Sequence, residues 1–254
     1  MGCNCNKSSS AKFNPATDSG DLPELSLMKM KSMQPLARFE KEFPFYRSHI
    51  VAFKDKLFSS GKDEVDLKWL NQTFDTPAWN GQFLKGSKLY KLLKSLPGQE
   101  GESFSVNTLL LLGILWCQGD VSDKAQAFFE QLNPPGQNQD GLSANDKDWD
   151  KVFDRIVYMA TYWTEKQAKE LSSYESSQFP DEDLVNRAIK AMRLSEEEDK
   201  PELTGFILLL FGYESRMSKE EYDEAIILPK VNWVFSGEQI RDRFTGFTDL
   251  AFLD

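Results

Sequence analysis

Gly2, Cys3 and Cys5 are residues whose types and spacing carry a definite chemistry. A glycine exposed by methionine removal presents the amine that N-myristoylation acylates. Cysteines directly behind it accept palmitate once the chain meets a membrane. One myristoyl chain binds bilayers with a constant of only about 10⁴ M⁻¹, so stable attachment requires a second signal. Cys3 and Cys5 would supply it. The usual pattern has Ser or Thr at position six, where this chain has Asn6, followed by Lys7 and Ser8-Ser9-Ser10. Lipidation at Gly2, Cys3 and Cys5 is therefore the expectation, against an ordinary tail in which these residues do nothing.

Other reactive types are sparse. Cys117 sits in an apolar run, as a buried small hydrophobe does, and three cysteines in all make neither a disulfide framework nor a zinc pattern. His49 is the sole histidine and has no acidic or nucleophilic partner at a meaningful spacing. No HExxH, phosphate-cradling or dinucleotide motif occurs, and no nucleophile elbow has its strand–turn–helix setting. The acidic run Glu196-Glu197-Glu198-Asp199 reads as solvated loop. The expectation is a non-enzyme with no catalytic residues.

Composition bounds the partners. A formal net charge of −10 argues against nucleic acid, whose phosphates require clustered Lys and Arg. The same charge is repelled by anionic lipid, so acyl chains rather than electrostatics would have to anchor the chain. The longest apolar run, Leu109–Cys117, falls well short of the roughly 20 residues a membrane span needs. Residues 1–20 lack an apolar stretch, so no cleavable secretory signal is expected. Together these point to a reduced, intracellular protein on the cytoplasmic face of a membrane, whether plasma membrane, ciliary membrane or endomembrane.

The elements that would position such a tail read as helices. Residues 1–34 are rich in Ser, Lys, Asn, Pro and Asp and are expected to be a disordered tail. Residues 35–254 form the body, divided into lobes at about 35–118 and 119–254. Tyr46, Ile50, Phe53 and Leu57 follow helical spacing, as do Trp149, Phe153, Ile156, Val157, Ala160 and Trp163. Phe128, Phe129 and Leu132 close a third helix, and Phe206–Phe211 is apolar throughout, as a central helix is. Alternating β-branched runs are almost absent, so the fold class is all-α.

A register recurs through these helices. An apolar residue followed by a helix-capping Ser or Asp occurs at Val65-Asp66, Phe104-Ser105, Leu142-Ser143 and Met217-Ser218, at intervals of 39, 38 and 75 residues. Each follows a helix and a short polar loop, as an EF-hand does from its eighth loop position onward. Cys117 to Leu132 resembles the incoming helix of the third hand in neuronal-calcium-sensor and calcineurin-B-like proteins of the EF-hand superfamily. Asp140-Gly141-Leu142-Ser143 resembles the loop that follows, and Met217 to Tyr222 the exit from a fourth hand. The resemblance implies paired helix–loop–helix units around an apolar cleft that binds an amphipathic partner helix, and a myristoylated glycine.

The calcium chemistry departs from that resemblance. A working loop offers oxygens at positions one, three, five, seven, nine and twelve, with a bidentate Glu last. Val65 as position eight gives Phe58, Ser60, Lys62 and Trp69; Phe104 gives Pro97, Gln99, Gly101 and Thr108. Met217 gives Leu210, Gly212, Glu214 and Glu221. In the third loop, one register ends at Asp146 and the other supplies Asn138 and Asp140 but ends at Lys147. Asn138, Asp140 and Asp146 are the candidate ligands of a distorted loop, set against a plain polar turn. No cofactor is expected, and calcium only at low affinity.

Two function classes follow. One is a membrane-tethered interaction module with degenerate loops, its partner helix held by Trp69, Trp79, Trp149, Trp163 or Trp233 as surface anchors. The other is a structural subunit of a larger, cytoskeletal assembly. A weak calcium sensor working through the loop around Asp140 is a third.

Overall fold

The computed structural model describes residues 35–132, 142–143, 147–179, 181–192, 226–227 and 236–251. These are mostly helical. Helix α1 covers residues 35–41, and a 3₁₀ turn, Pro44–Arg47, leads into α2, Ile50–Phe58. Strand β1 (Glu64–Asp66) runs into α3 (Leu67–Thr73), and α4 (Lys88–Lys94) precedes β2 (Ser103–Ser105) and α5 (Val106–Trp116). Helix α6 (Val121–Leu132) and strand β3 (Leu142–Ser143) come next. Helix α7 (Lys147–Tyr158) continues through a π turn, Met159–Trp163, into α8 (Thr164–Leu171). Helix α9 (Glu182–Met192), strand β4 (Ile226–Ile227) and helix α10 (Gly237–Ala251) complete the described elements.

The strands are short clasps between helical units. β1 pairs antiparallel with β2, placing Val65 opposite Phe104, and both side chains are buried. Asp66 then caps α3 by accepting from Trp69 N at 2.7 Å, and Ser105 caps α5 by accepting from Thr108 N at 3.3 Å. Such caps satisfy donors that the first helical turn cannot. β3 pairs with β4, so Leu142 faces Ile227. The pairing partner is thus Ile226–Ile227 rather than Met217-Ser218, which lies outside the described residues, as does Phe206–Phe211. Two adjacent isoleucines suit a pleated strand better than Met-Ser.

Helix α5 is the centre. Every residue from Thr108 to Trp116 is buried, because neighbours cover it on all sides. A Cβ at Gly113 would lie 2.6 Å from the Phe53 ring, so glycine is what lets α2 approach. On α2, Ile50, Phe53 and Leu57 face inward, but Tyr46 belongs to the 3₁₀ turn and stands half out of the core. Pro44 ends the earlier helical register before Tyr46 can join it. Phe153, Ile156, Val157, Ala160 and Trp163 form one buried stripe along α7 and its π turn. A single contiguous apolar cluster runs from Leu36 to Phe244.

Candidate functional site

The loop ahead of β2 is held by donors from its own side chains. Gln99 Nε2 donates to the Ser103 carbonyl at 2.5 Å and reaches the Glu100 and Gly101 carbonyls at 3.3 and 3.4 Å. Lys94 Nζ also donates to the Gly101 carbonyl. The carbonyls of Glu100, Gly101 and Ser103 are therefore held by N–H donors of the chain itself. Ahead of β1, Ser60 Oγ accepts from Lys62 N at 3.1 Å, and the Lys62 side chain is exposed. Neither loop brings carboxylates together, and no cluster of three His, Cys, Asp or Glu suited to a metal occurs among the described residues. Gln99 was legible only as a missing ligand in the sequence. Its amide shows its bonding role once the loop is folded.

Gly2, Cys3 and Cys5, and the candidate ligands Asn138, Asp140 and Asp146, lie outside the described residues. Trp149 falls within α7, and Trp233 lies outside the described residues.

The expected surface aromatics are corrected in two cases. Trp79 and Trp163 are 3% and 2% exposed, so neither is available to a partner. Trp79 stacks on Phe83 with centroids 5.3 Å apart and packs against Phe45, Phe53 and Phe74. Its indole N–H donates to Ser48 Oγ at 2.9 Å. The connection between α3 and α4 thus folds inward, and Trp79 and Phe83 are buried in an aromatic cluster with Phe45, Phe53 and Phe74. Trp163 donates to the Ser95 carbonyl at 2.7 Å, and Trp69 is half-buried. Large aromatic area removed from water outweighs the polar N–H once that N–H has a partner.

His49 also differs from expectation, because Nε2 lies 3.5 Å from Asp123 Oδ2. The acid is distant in sequence and was invisible to spacing. α2 and α6 meet where the Ile50 N–H donates to the Gln118 carbonyl, which sets the two side chains face to face. Both are substantially exposed, and the pair has the character of a surface contact. Cys117 is buried, and loss of solvation raises its thiol from the ordinary 9.0 to about 12, which leaves it protonated and unreactive.

Two further features are polar. An open groove of about 650 Å³ lies between α7 and α9, with Lys151, Arg155, Tyr158, Glu182, Asn186 and Lys190 on its walls. Tyr158 Oη donates to Glu182 Oε1 at 2.6 Å on its wall. The second feature is internal. Arg241 of α10 is fully buried, and its Nη1 lies 2.6 Å from Glu40 Oε1 on α1 and 2.9 Å from the Ala160 carbonyl in the π turn. Glu40 and Lys124 are themselves buried, and burial pulls the Lys124 ammonium below its usual range, opposed by the charge of Glu40. Nearby Glu165 accepts from the backbone N–H groups of Gln178 and Phe179 and pairs with Lys169 at 2.7 Å. No helix of the described residues is long and apolar enough to cross a membrane.

No family model, curated protein or solved structure matches this chain.

Proposed function

We propose that this protein is a membrane-tethered, non-catalytic, EF-hand-like interaction module whose loops work without calcium. The observation that carries this reading is the register of the clasp: Val65 opposite Phe104, each followed by a residue that caps the next helix. Helix, loop, paired apolar residue, cap and helix is the order of an EF-hand pair, with the eighth positions of two loops facing one another. Leu142 opposite Ile227 has the same form. Placing Ile227 eighth gives the fourth loop Glu220, Tyr222 and Glu224, with Val231 where the bidentate Glu belongs.

Loss of calcium control is supported by Gln99 and Lys94, which donate to the loop carbonyls in place of an ion. The tether is supported by Gly2-Cys3-Cys5, and the partner class by an all-helical body of the kind that binds amphipathic helices. Trp79 and Phe83 close the interior beside α2, so the partner docks elsewhere on the body. The test is fractionation of cells expressing wild type and Gly2→Ala. Wild type partitions with membranes, Gly2→Ala moves to the soluble fraction, and Cys3→Ser/Cys5→Ser binds weakly and reversibly. Equal partitioning of wild type and Gly2→Ala removes the tether.

A further inference from the structure

We propose that the surface beneath α10 is a recognition seat for an amphipathic helix carrying arginine, and that α10 is its resident, displaceable occupant. This rests on the reading of the chain as a helix-binding module and names that module's partner by its chemistry.

The seat is built from three separated parts of the chain. Glu40 on α1 supplies a carboxylate, the π turn supplies the Ala160 carbonyl, and Phe179 supplies an aromatic face. The ladder shifts to i+5 at this turn, where Thr164 N donates to the Met159 carbonyl. Turns of this kind recur at functional sites because they offset carbonyls from the regular ladder. Into the seat α10 projects Arg241 between two buried apolar residues: Ile240, and Phe244, whose ring lies 5.8 Å from that of Phe179. One turn earlier, a Cβ at Gly237 would stand 2.6 Å from Glu40 Oε1 and 2.9 Å from Arg241 Nη1. The seat therefore reads a small residue, then an apolar residue and arginine, then an aromatic, at spacings 237, 240, 241 and 244.

The resident fit is incomplete, which is what makes it displaceable. Arg241 Nε and Nη2 have no hydrogen-bond partner among the described residues, although the side chain is fully buried. Buried donors without acceptors oppose burial, and a guanidinium has five donors to place. A partner helix in the same register meets Glu40 and Ala160 equally well. If it also brings an acceptor for Nε or Nη2, it displaces α10.

The probe is a fluorescein-labelled peptide with the sequence of residues 236–254, titrated into the full chain and followed by anisotropy. Two hosts are compared: wild type, with the seat filled, and Ile240→Ala/Phe244→Ala, in which α10 is loosened while Glu40 and Ala160 remain. The peptide should bind the double variant at least about thirtyfold more tightly than wild type. Replacing arginine by alanine in the peptide should cost at least about thirtyfold, as expected for one partner of a buried hydrogen-bonded charge pair. Adding Glu40→Gln to the host should erase the preference for the arginine peptide. Equal binding to both hosts, or equal binding of the arginine and alanine peptides, overturns the proposal.

Should the double variant unfold, hydrogen exchange on wild type decides. The α10 amides should exchange through an opening that leaves α5 protected. Exchange of α10 only together with α5 overturns the proposal. A soluble-fraction shift of Gly2→Ala without arginine selectivity would remove the seat alone. Arginine selectivity without that shift would remove the tether alone.

Discussion

Gln99 and Ser103 are joined across their loop by an amide-to-carbonyl hydrogen bond of 2.5 Å. The Gln99 side chain thus ties the loop to the strand that follows it. Three carbonyls are drawn toward one donor group immediately before β2, which pairs with β1.

Calcium should therefore leave the protein unchanged at cytosolic concentrations. Sensor sites bind at about 10⁻⁷ to 10⁻⁵ M through several carboxylates in one loop. Calorimetric titration should show at most a sub-millimolar to millimolar process, and the unfolding midpoint should not move with micromolar calcium. Gln99→Ala should instead destabilise the fold by about 0.5–1.5 kcal/mol, the usual net worth of a hydrogen bond. A micromolar site abolished by Asp140→Ala would overturn this and make the protein a sensor.

Trp79→Ala should be among the most damaging single substitutions. It removes a ring stacked on Phe83, empties the interior beside Phe53, and leaves Ser48 Oγ without its donor. Truncation of large buried aromatics costs about 3–5 kcal/mol. Urea unfolding should show that loss, whereas Leu84→Ala, on a side chain 61% exposed, should change little. Near-equal midpoints for the two variants would mean that the α3–α4 connection does not plug the interior.

Cys117 should be silent to thiol reagents in the folded protein at pH 8 and react on unfolding. Its folded thiol titrates at about 12 against 9.0 when exposed, so the unfolded state releases a proton that the folded state keeps. The resulting contribution to stability is complete below pH 9 and is lost as pH climbs toward 12. Cys117→Ala should accordingly flatten the alkaline fall of the unfolding free energy in that window. Rapid modification at Cys117 itself in native protein at pH 8, located by peptide mapping, would show that thiol to be exposed.

Helicity and two of the helix caps were legible without coordinates. Apolar spacing of 3.6 placed Ile50, Phe53 and Leu57, and Phe153 through Trp163, on buried faces, because a helix that must bury one stripe repeats its apolar residues at that period. Asp66 and Ser105 announced themselves as caps, since a short polar side chain just before a helical run satisfies donors that nothing local otherwise reaches.

What local pattern could not decide was which distant groups meet. Trp79 reads as an anchor for a partner or as core with equal ease, and only the inward fold of residues between α3 and α4 made it core. His49 acquired Asp123 because the backbone ahead of α2 pairs with Gln118, ahead of α6. Strand β3 pairs with Ile226–Ile227, far along the chain, and no local pattern in either segment marks that choice. Glu40 and Arg241 lie 201 residues apart, and no periodicity links them. Short-range order follows from backbone geometry and the period of burial, which each segment carries in itself. Pairings across the chain depend on how the helices stack, and that is fixed only when the whole core closes.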